Sequence, residues 1–467
     1  MAFQATRSHR AYGAYRATPF PQLFHLAGRL RPRQSALTER RMLKLLVVGK
    51  GGREHALLTA LAASPTPTER YSFPGSDAIF ASVAQQAPGV SDLSTLLEFV
   101  QRQGIDLVVA GEESYLVLGE GLANACARIG VPCWGPPKES AQLEASKEFA
   151  KQFLVRHGIP TARYAAAATL EEARAAIREV AGEGSVVLKF DGLAAGKGVA
   201  VCHTPQETAD FLDTIFVQKT FGPGRVVIEE CLTGPEVSIF ASLVDGRYHI
   251  LCPARDYKRI FDGDQGPNTG GMGAVASREL LPPETLARIE REIVAPTVAG
   301  LQKDGLPYRG FLYFGLMLTP AGPKVIEYNC RFGDPECEAV MPLVSGDFVQ
   351  YILHGARGEL RPDLIDFSPG WSVCVILACA GYPATSRAGD PISGLETVAA
   401  GQARIFHCGT RQPAPGGPYE TNGGRVLAIV SQGPTRQDAL AAVNTAAEKI
   451  TFPGRQRRSD IGRLHFE

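Results

Sequence analysis

Between residues 42 and about 135, short apolar runs alternate with helical patterns. "LKLLVVG" and "IDLVVAG" read as strands, while "REHALLTALAAS", "DLSTLLEFVQRQG" and "EGLANACARIG" read as helices. Apolar strands separated by helices need crossover connections, so this part of the chain is expected to form βαβ units around a parallel sheet. "VPCWGPPKES" carries the turn signals that close the unit.

Beyond it the pattern changes. In "SKEFAKQFLVRHGIP", Phe149, Ala150, Phe153 and Leu154 form one helical stripe, stopped by Gly158 and Pro160. "SVVLKFDGLAAGKGVAV" and "RVVIEECLTGPEVSIFASLVDG" are strand-rich. Residues 283–303 read as helix, and "YRGFLYFGLMLTPAGPKVIEYN" as a hairpin turning at Pro320–Gly322. A Pro-containing linker near 360–370 precedes further strands ("WSVCVILACAGYP", "GRVLAIVS") and a last helix, "RQDALAAVNTAAEKI". A chain of 467 residues exceeds the reach of one core, so roughly two to four domains are expected.

Lys plus Arg equals Asp plus Glu at 48 each, which leaves no footprint for nucleic acid or an anionic membrane. No apolar run approaches the ~20 residues that span a bilayer. The ten cysteines stand singly with no C-x-x-C, the pattern of reduced buried thiols in a cytosolic protein. Residues 1–41 hold eight arginines and one acid, Glu39. They read as the product of a start assigned upstream of Met42, in preference to an organelle transit peptide.

Five stretches carry chemistry. "VVGKGGREH" runs a strand through glycines into a helix, whose N-terminus suits a phosphate. The second strand ends in "RYSFPGSD" without the acid a dinucleotide ribose needs, which favours a smaller phosphorylated sugar. "VVLKFDGLAAGKGVAV" sets Lys189 and Lys197 about mobile glycines, as a polyphosphate requires, though Gly198 after Lys197 rules out a Walker loop. "VVIEECLTGPEVS" ends a strand at Glu229-Glu230-Cys231-Leu232, with Glu236 beyond. "ARDYKRIFDGDQGPNTGGMGAV" packs Asp256, Lys258, Asn268 and Thr269 among glycines, and reads as an ordered substrate-binding loop. In "GPKVIEYNCRFGDPE", alternation puts Ile326, Tyr328 and Cys330 on a core face and Val325, Glu327, Asn329 and Arg331 on the other. Glu327 and Asn329 make a partial oxygen shell for a hard divalent cation, and Arg331 could clamp a phosphate or carboxylate.

In chain order, "GGREHAL", "AQLE-SK-FAK", "DGLAAGKGV", "DGDQGPNTGGMGA", "E-N-RFGDPE" and "TNGGRVL" resemble the phosphoribosylamine–glycine ligase family of the ATP-grasp superfamily, over about Leu43 to Gly462. The resemblance implies an α/β and α+β chain with an ATP-grasp fold. An N-terminal parallel-sheet (pre-ATP-grasp) domain would span 42–145 and the ATP-grasp domain 146–350, with a lid at about 164–235. A small mixed C-terminal domain would span 365–467. It implies ATP-dependent ligation of glycine to 5-phosphoribosylamine through glycyl phosphate, in the cytoplasm, by a monomer. Lys147, Lys189, Gly196 and Lys197 would meet ATP phosphates, Glu229 to Leu232 adenine, and Glu236 the ribose. Glu327 and Asn329 would bind Mg²⁺ or Mn²⁺. Asp256, Lys258, Asn268, Thr269, Gly271, Arg331 and Asp334 would surround the reacting ends, and Gly51, Gly52, Arg53, Glu54 and Gly75 the phosphoribosylamine.

The chain departs from the family pattern at Tyr257, where His is usual, at Gly75-Ser76 in place of Gly-Asn, and at "GEES" 111–114 in place of Gly-Pro-Glu. The last two bear on the sugar-phosphate pocket. "GFLYFGLML" supplies no carboxylate, so the metal pair rests on one strand and on ATP. A biotin-dependent carboxylase module or another carboxylate–amine ligase is disfavoured by "GPNTGGMGA" together with "TNGGRVL". A non-catalytic nucleotide sensor is disfavoured by the intact Lys, Glu, Asn and Arg set, and a dinucleotide oxidoreductase by the missing acid.

Overall fold

Strand β1 (Leu43–Gly49) has Leu45 to Val48 fully buried on both faces, the condition of a strand inside a parallel sheet. The computed structural model describes residues 41–192, 194, 198–398 and 401–463. β1 lies between β2 (Thr68–Pro74) and β4 (Leu107–Ala110) in an all-parallel sheet of order β3-β2-β1-β4-β5. Its outer strands are β3 (Gln85–Gln86) and β5 (Cys133–Trp134). β5 lies within the stretch read as turn signals alone; two residues are too few to show a period. The crossover helix Leu93–Gln103 starts on Asp92, whose Oδ1 accepts from Thr95 N at 2.9 Å, and stops at Gly104 with φ +64°.

Strands β6 (Tyr164–Ala167), β7 (Val186–Phe190), β8 (Val199–Cys202) and β9 (Val226–Glu230) form an antiparallel sheet of order β6-β9-β7-β8. With the helices Leu170–Val180 and Pro205–Phe216 it closes a core of its own around Leu188, Leu212 and Ile228.

The largest sheet is antiparallel. Its strands are β10 (Glu236–Val244), β11 (Arg247–Ile250), β12 (Ala254–Asp256), β15 (Gly273–Ala276), β16 (Arg309–Thr319), β17 (Gly322–Asn329), β20 (Trp371–Ala378), β21 (Arg404–His407) and β24 (Arg425–Gly433). They run in the order β17-β16-β10-β12-β15-β20-β24-β21, with β11 against β10. Three two-stranded ribbons complete the list: β13 (Arg259–Phe261) with β14 (Gln265–Asn268), β18 (Val344–Gly346) with β19 (Ile365–Phe367), and β22 (Thr410–Arg411) with β23 (Glu420–Thr421). Both faces of the large sheet are buried. On β20, Val373, Val375 and Leu377 join one core while Cys374, Ile376 and Ala378 join the other. That is why "SVCVILA" is apolar without a break. The β15–β20 pairing places C-terminal strands in the same sheet as β16 and β17.

The helix read over 283–303 is present, with a π turn at Glu290–Val294 beside Pro296, which has no N–H to offer. The hairpin β16–β17 turns as expected, with Gly322 at φ +131°. The alternation along β17 needs correction. Val325 pairs with Leu316 and Glu327 with Gly315, so Ile326 is an extra residue, a β-bulge. The bulge breaks the period of two. Val325, Tyr328 and Cys330 pack in the core, and Ile326 lines the cavity beside Glu327 and Asn329. All ten cysteines are free; Cys133, Cys231 and Cys408 are half-buried and the rest buried. No helix among the described residues is long and apolar enough to cross a membrane.

Trp134 at the end of β5 is 1% exposed and meets Phe311 of β16 edge-on at 5.2 Å, joining the parallel sheet to the large one. Trp134→Ala is expected to cost about 3–5 kcal/mol of stability, read from the shift of the urea unfolding midpoint.

Candidate active site

A cavity of about 1000 Å³ opens between the three sheets. It draws its walls from the glycine turn after β1, the helix Lys147–Arg156, strands β7, β9 and β17, the loop 255–270, and Gly409 and Asn422–Arg425 near the C-terminus. Of the residues singled out in the sequence, Gly51, Gly52, Arg53, Glu54, Lys147, Lys189, Glu229, Glu230, Cys231, Leu232 and Glu236 all line it. So do Asp256, Lys258, Asn268, Thr269, Glu327, Asn329, Arg331 and Asp334. Two do not. Gly75 (φ +66°) sits under the Phe80 ring, and Gly271 (φ +108°) under Pro335; in each place a Cβ would come within 2.4 Å of the neighbour. Gly196 and Lys197 lie outside the described residues.

The helix Lys147–Arg156 begins on Ser146, whose hydroxyl accepts from Phe149 N at 3.1 Å. Asp191, just past β7, adds a second cap by accepting from Lys147 N at 2.6 Å. Lys147 Nζ donates to Gly192 O at 2.8 Å, and burial lowers its pKa. Lys189 Nζ, on β7, lies 2.8 Å from Glu229 Oε1 and donates to Ile326 O at 2.9 Å. The bulge turns that carbonyl out of the strand ladder.

Glu327 stands in a ring of cations. Burial works against its charge, but Lys258, Lys189, Lys147 and Arg331 outweigh that and hold its pKa below the ordinary carboxylate value. Lys258 Nζ is 3.7 Å from Glu327 Oε1 and 2.9 Å from Glu236 Oε2. These acids and Asp256 outweigh burial and raise the lysine's own pKa. Burial, with Glu336, Glu236 and Glu327 nearby, carries Asp256 up to about 8 against the pull of Lys258. Among the described residues no group of three or more His, Cys, Asp or Glu could hold a metal by itself. An ionised carboxylate beside an amide is the oxygen-donor set that a hard divalent cation shares with nucleotide phosphates.

At the other end, Arg331 is held in place. Its Nε donates to Glu113 Oε2 at 3.1 Å, and Nη2 lies 2.9 Å from Glu144 Oε1. Glu144 also accepts from Cys330 N at 2.6 Å, yet burial pushes it up to about 7. Arg53 Nε donates to Glu54 Oε1 at 2.7 Å, and Glu54 Oε2 accepts from Gly51 N at 2.7 Å, which fixes the glycine turn. Asp334 Oδ1 lies 2.8 Å from Arg425 Nη2. Beneath Gly52 lies Glu338, fully buried with neither oxygen hydrogen-bonded; burial and Asp334 push its pKa upward. A Cβ on Gly52 would come within 2.4 Å of Glu338 Oε1 and 2.6 Å of Cys408 Sγ, so only glycine fits there.

Sequence reasoning did not single out Glu113, Glu144, Lys151, Glu336 or Arg425, all of which line the cavity. Signals for four of them lay in motifs already quoted: Glu144 and Lys151 in "AQLE-SK-FAK", Glu336 in "RFGDPE", and Arg425 in "TNGGRVL". Glu113 sits in the divergent "GEES".

A parallel sheet, a separate four-stranded antiparallel sheet and a large antiparallel sheet around one lysine-lined cavity define the ATP-grasp class. The biotin carboxylase domain of the Hydrogenobacter thermophilus 2-oxoglutarate carboxylase shares this fold, with a TM-score of 0.65 at 19% identity over 89% of this chain and 91% of that one. The models of phosphoribosylglycinamide synthetase match the chain in three parts: the N domain at residues 43–144, the ATP-grasp (A) domain at 145–337 and the C domain at 372–464. The phosphoribosylamine–glycine ligase of Allochromatium vinosum is 43% identical over 90% of this chain and 98% of its own length. That of Vibrio cholerae is 41% identical over 90% and 98%. The crystal structure of the Thermotoga maritima phosphoribosylamine–glycine ligase superposes with a TM-score of 0.77 at 34% identity, covering 90% of this chain and all of that one. The chain belongs to the phosphoribosylamine–glycine ligase family.

Glu113 lies 3.1 Å from Arg331 and 3.7 Å from Arg53. Burial disfavours its charge, but the two guanidiniums outweigh that and bring it down to about 2 from 4.5. A depressed carboxyl contributes stability that is complete above the unfolded value and is lost as pH falls through the folded one. Glu113→Gln is therefore expected to lower stability by about 2 kcal/mol at pH 7. The gap to the unchanged protein should close between pH 4.5 and about 2, as followed by urea unfolding across that range.

Proposed function

We propose that this protein ligates glycine to 5-phosphoribosylamine at the expense of ATP, giving N1-(5-phosphoribosyl)glycinamide, ADP and phosphate in purine nucleotide biosynthesis. The observation that carries this reading is one cavity that joins Lys147 and Lys189, the Glu327–Asn329 pair, and the Gly51–Gly52 helix start. Phosphoryl transfer needs positioning and charge neutralisation more than a protein nucleophile.

The glycine carboxylate attacks the γ-phosphorus of ATP, the bond to the bridging β–γ oxygen breaks, ADP leaves and glycyl phosphate forms. The amine of phosphoribosylamine then attacks the acyl carbon; the C–N bond forms, phosphate leaves, and the amine gives up a proton. Lys147 and Lys189 meet ATP phosphates, backbone groups of the strand end Glu229 to Leu232 hold adenine, and Glu236 takes the ribose. Asp256, Lys258, Asn268, Thr269, Arg331 and Asp334 surround the reacting ends. Gly51 to Glu54 receive phosphoribosylamine at a positive helix end. Glu327 and Asn329 would hold Mg²⁺ or Mn²⁺, which when bound supplies charge neutralisation at the phosphates. The working units are residues 42–145, 146–350 and 365–467. On this reading the protein acts as a monomer in the cytoplasm.

Purified protein supplied with ATP, Mg²⁺, glycine and freshly made phosphoribosylamine is expected to release ADP only when both acceptors are present. Release that depends on neither would end the ligase reading. Glu327→Ala should lower turnover by at least about a hundredfold with the melting temperature kept within a few degrees. Full activity in that variant would remove Glu327 from the metal site.

A further inference from the structure

Lys151 lies one helical turn beyond Lys147 and is 3% exposed. Its ammonium sits 2.9 Å from Glu229 Oε2 and donates to Thr161 Oγ1 at 2.8 Å. The Thr161 hydroxyl in turn donates to Val325 O at 2.7 Å. The other Glu229 oxygen, Oε1, is 2.8 Å from Lys189 Nζ. One carboxylate is thus shared by two ammoniums, one oxygen to each, and no side chain of the three is more than 5% exposed. The bridge ties the helix to strands β7 and β9, and through Thr161 and Lys189 to both carbonyls at the β17 bulge.

A buried ion pair gains little net stability, because desolvating the charges offsets their attraction. Burial pushes the Lys151 ammonium down to about 8, even with Glu229 against it. An apolar side chain would fill the same space without that cost. What the second lysine changes is the charge left at Lys189. With Lys151 present, the triad carries one net positive charge inside the cavity wall. Without it, Glu229 would neutralise Lys189 one to one and would be free to rotate onto it.

We propose that Lys151 is a positioning residue for the nucleotide: by taking one oxygen of Glu229, it leaves Lys189 with net charge to meet the polyphosphate. The inference rests on the reading of the cavity as the ATP site, with Lys189 at its phosphates.

Calorimetry of MgADP binding, with steady-state kinetics, tests it. Lys151→Met should weaken MgADP binding and raise the KM for ATP by at least about tenfold, with the KM for glycine held within about twofold. Lys151→Arg should bind as the unchanged protein does. Lys151→Met/Glu229→Gln should recover most of the loss, because Lys189 then faces a neutral amide and the single net charge returns. Should the Met variant not fold, Lys151→Gln, uncharged but able to reach Thr161, carries the same expectation. Tight MgADP binding by Lys151→Met and Lys151→Gln would overturn the inference and leave the ATP-site reading standing. So would a loss that the double variant does not recover and that follows a fall in unfolding midpoint. An unchanged protein that fails to bind MgADP would remove the reading beneath it as well.

Discussion

Strand β17 carries one more residue than the stretch of β16 it pairs with, and the site depends on where that residue falls. The extra residue is Ile326, between Val325 opposite Leu316 and Glu327 opposite Gly315. A regular strand that kept Val325 in the core would turn Glu327 inward with it, where an unpaired carboxylate is costly. The bulge restores the phase: Tyr328 and Cys330 pack inward, and Glu327 and Asn329 reach the cavity. Gly315 is part of the same arrangement, since a Cβ there would come within 3.0 Å of Glu327 Cγ. The bulge also frees the carbonyl of Ile326, and Lys189 takes it. One local irregularity therefore orients a carboxylate and anchors a lysine from a different sheet.

The cavity this creates is dense with charge, and its electrostatics follow from pairing. Arg331 is held between Glu113 and Glu144, Lys258 near Glu236 and Glu327, Lys189 against Glu229, and Arg425 against Asp334. Each cation is fixed by a carboxylate of the protein before any anion arrives. Such groups need no reorganisation when charge develops in front of them, which is the condition for electrostatic stabilisation of a transferring phosphoryl group. The same density explains the acids whose pKa is raised. Burial outweighs Arg331 and the Cys330 N–H at Glu144, and burial together with Asp334 outweighs Arg425 and Arg53 at Glu338, so both carboxyls are pushed upward.

Much of this could be read from local signals. The parallel unit was legible because Leu45 to Val48 is apolar on both faces, and the helix at Lys147 because Gly158 and Pro160 end its apolar stripe. The cavity lining was legible in glycine loops rich in Lys, Asp and Asn, which build no core. What escaped depends on partners distant in sequence. Glu113 lies 218 positions from Arg331, and Glu144 lies 186 from Cys330. Nothing within "GEES" or "AQLE" tells which guanidinium or amide will arrive. The bulge escaped for a different reason: Val325 and Ile326 are both β-branched and apolar, so moving the phase by one residue leaves the local pattern unchanged.

The C-terminal segment shows the same dependence on distant partners at larger scale. A linker near 360–370 suggested a domain set apart, yet β20 extends the large sheet from β15, and Arg425 begins β24 at the cavity edge. Its Nη1 donates to Gly270 O at 2.6 Å and to Asp334 O at 3.1 Å, while Nη2 pairs with the Asp334 carboxylate. Those contacts hold the end of the loop that carries Asn268 and Thr269 against the turn that follows Arg331. A glycine-rich loop has no side-chain packing with which to hold its own conformation, and ordering it costs more backbone entropy than ordering any other sequence. Arg425 supplies three fixed contacts to that loop and its neighbour from a strand rigid in the core, so the "TNGGR" turn acts as part of the site wall.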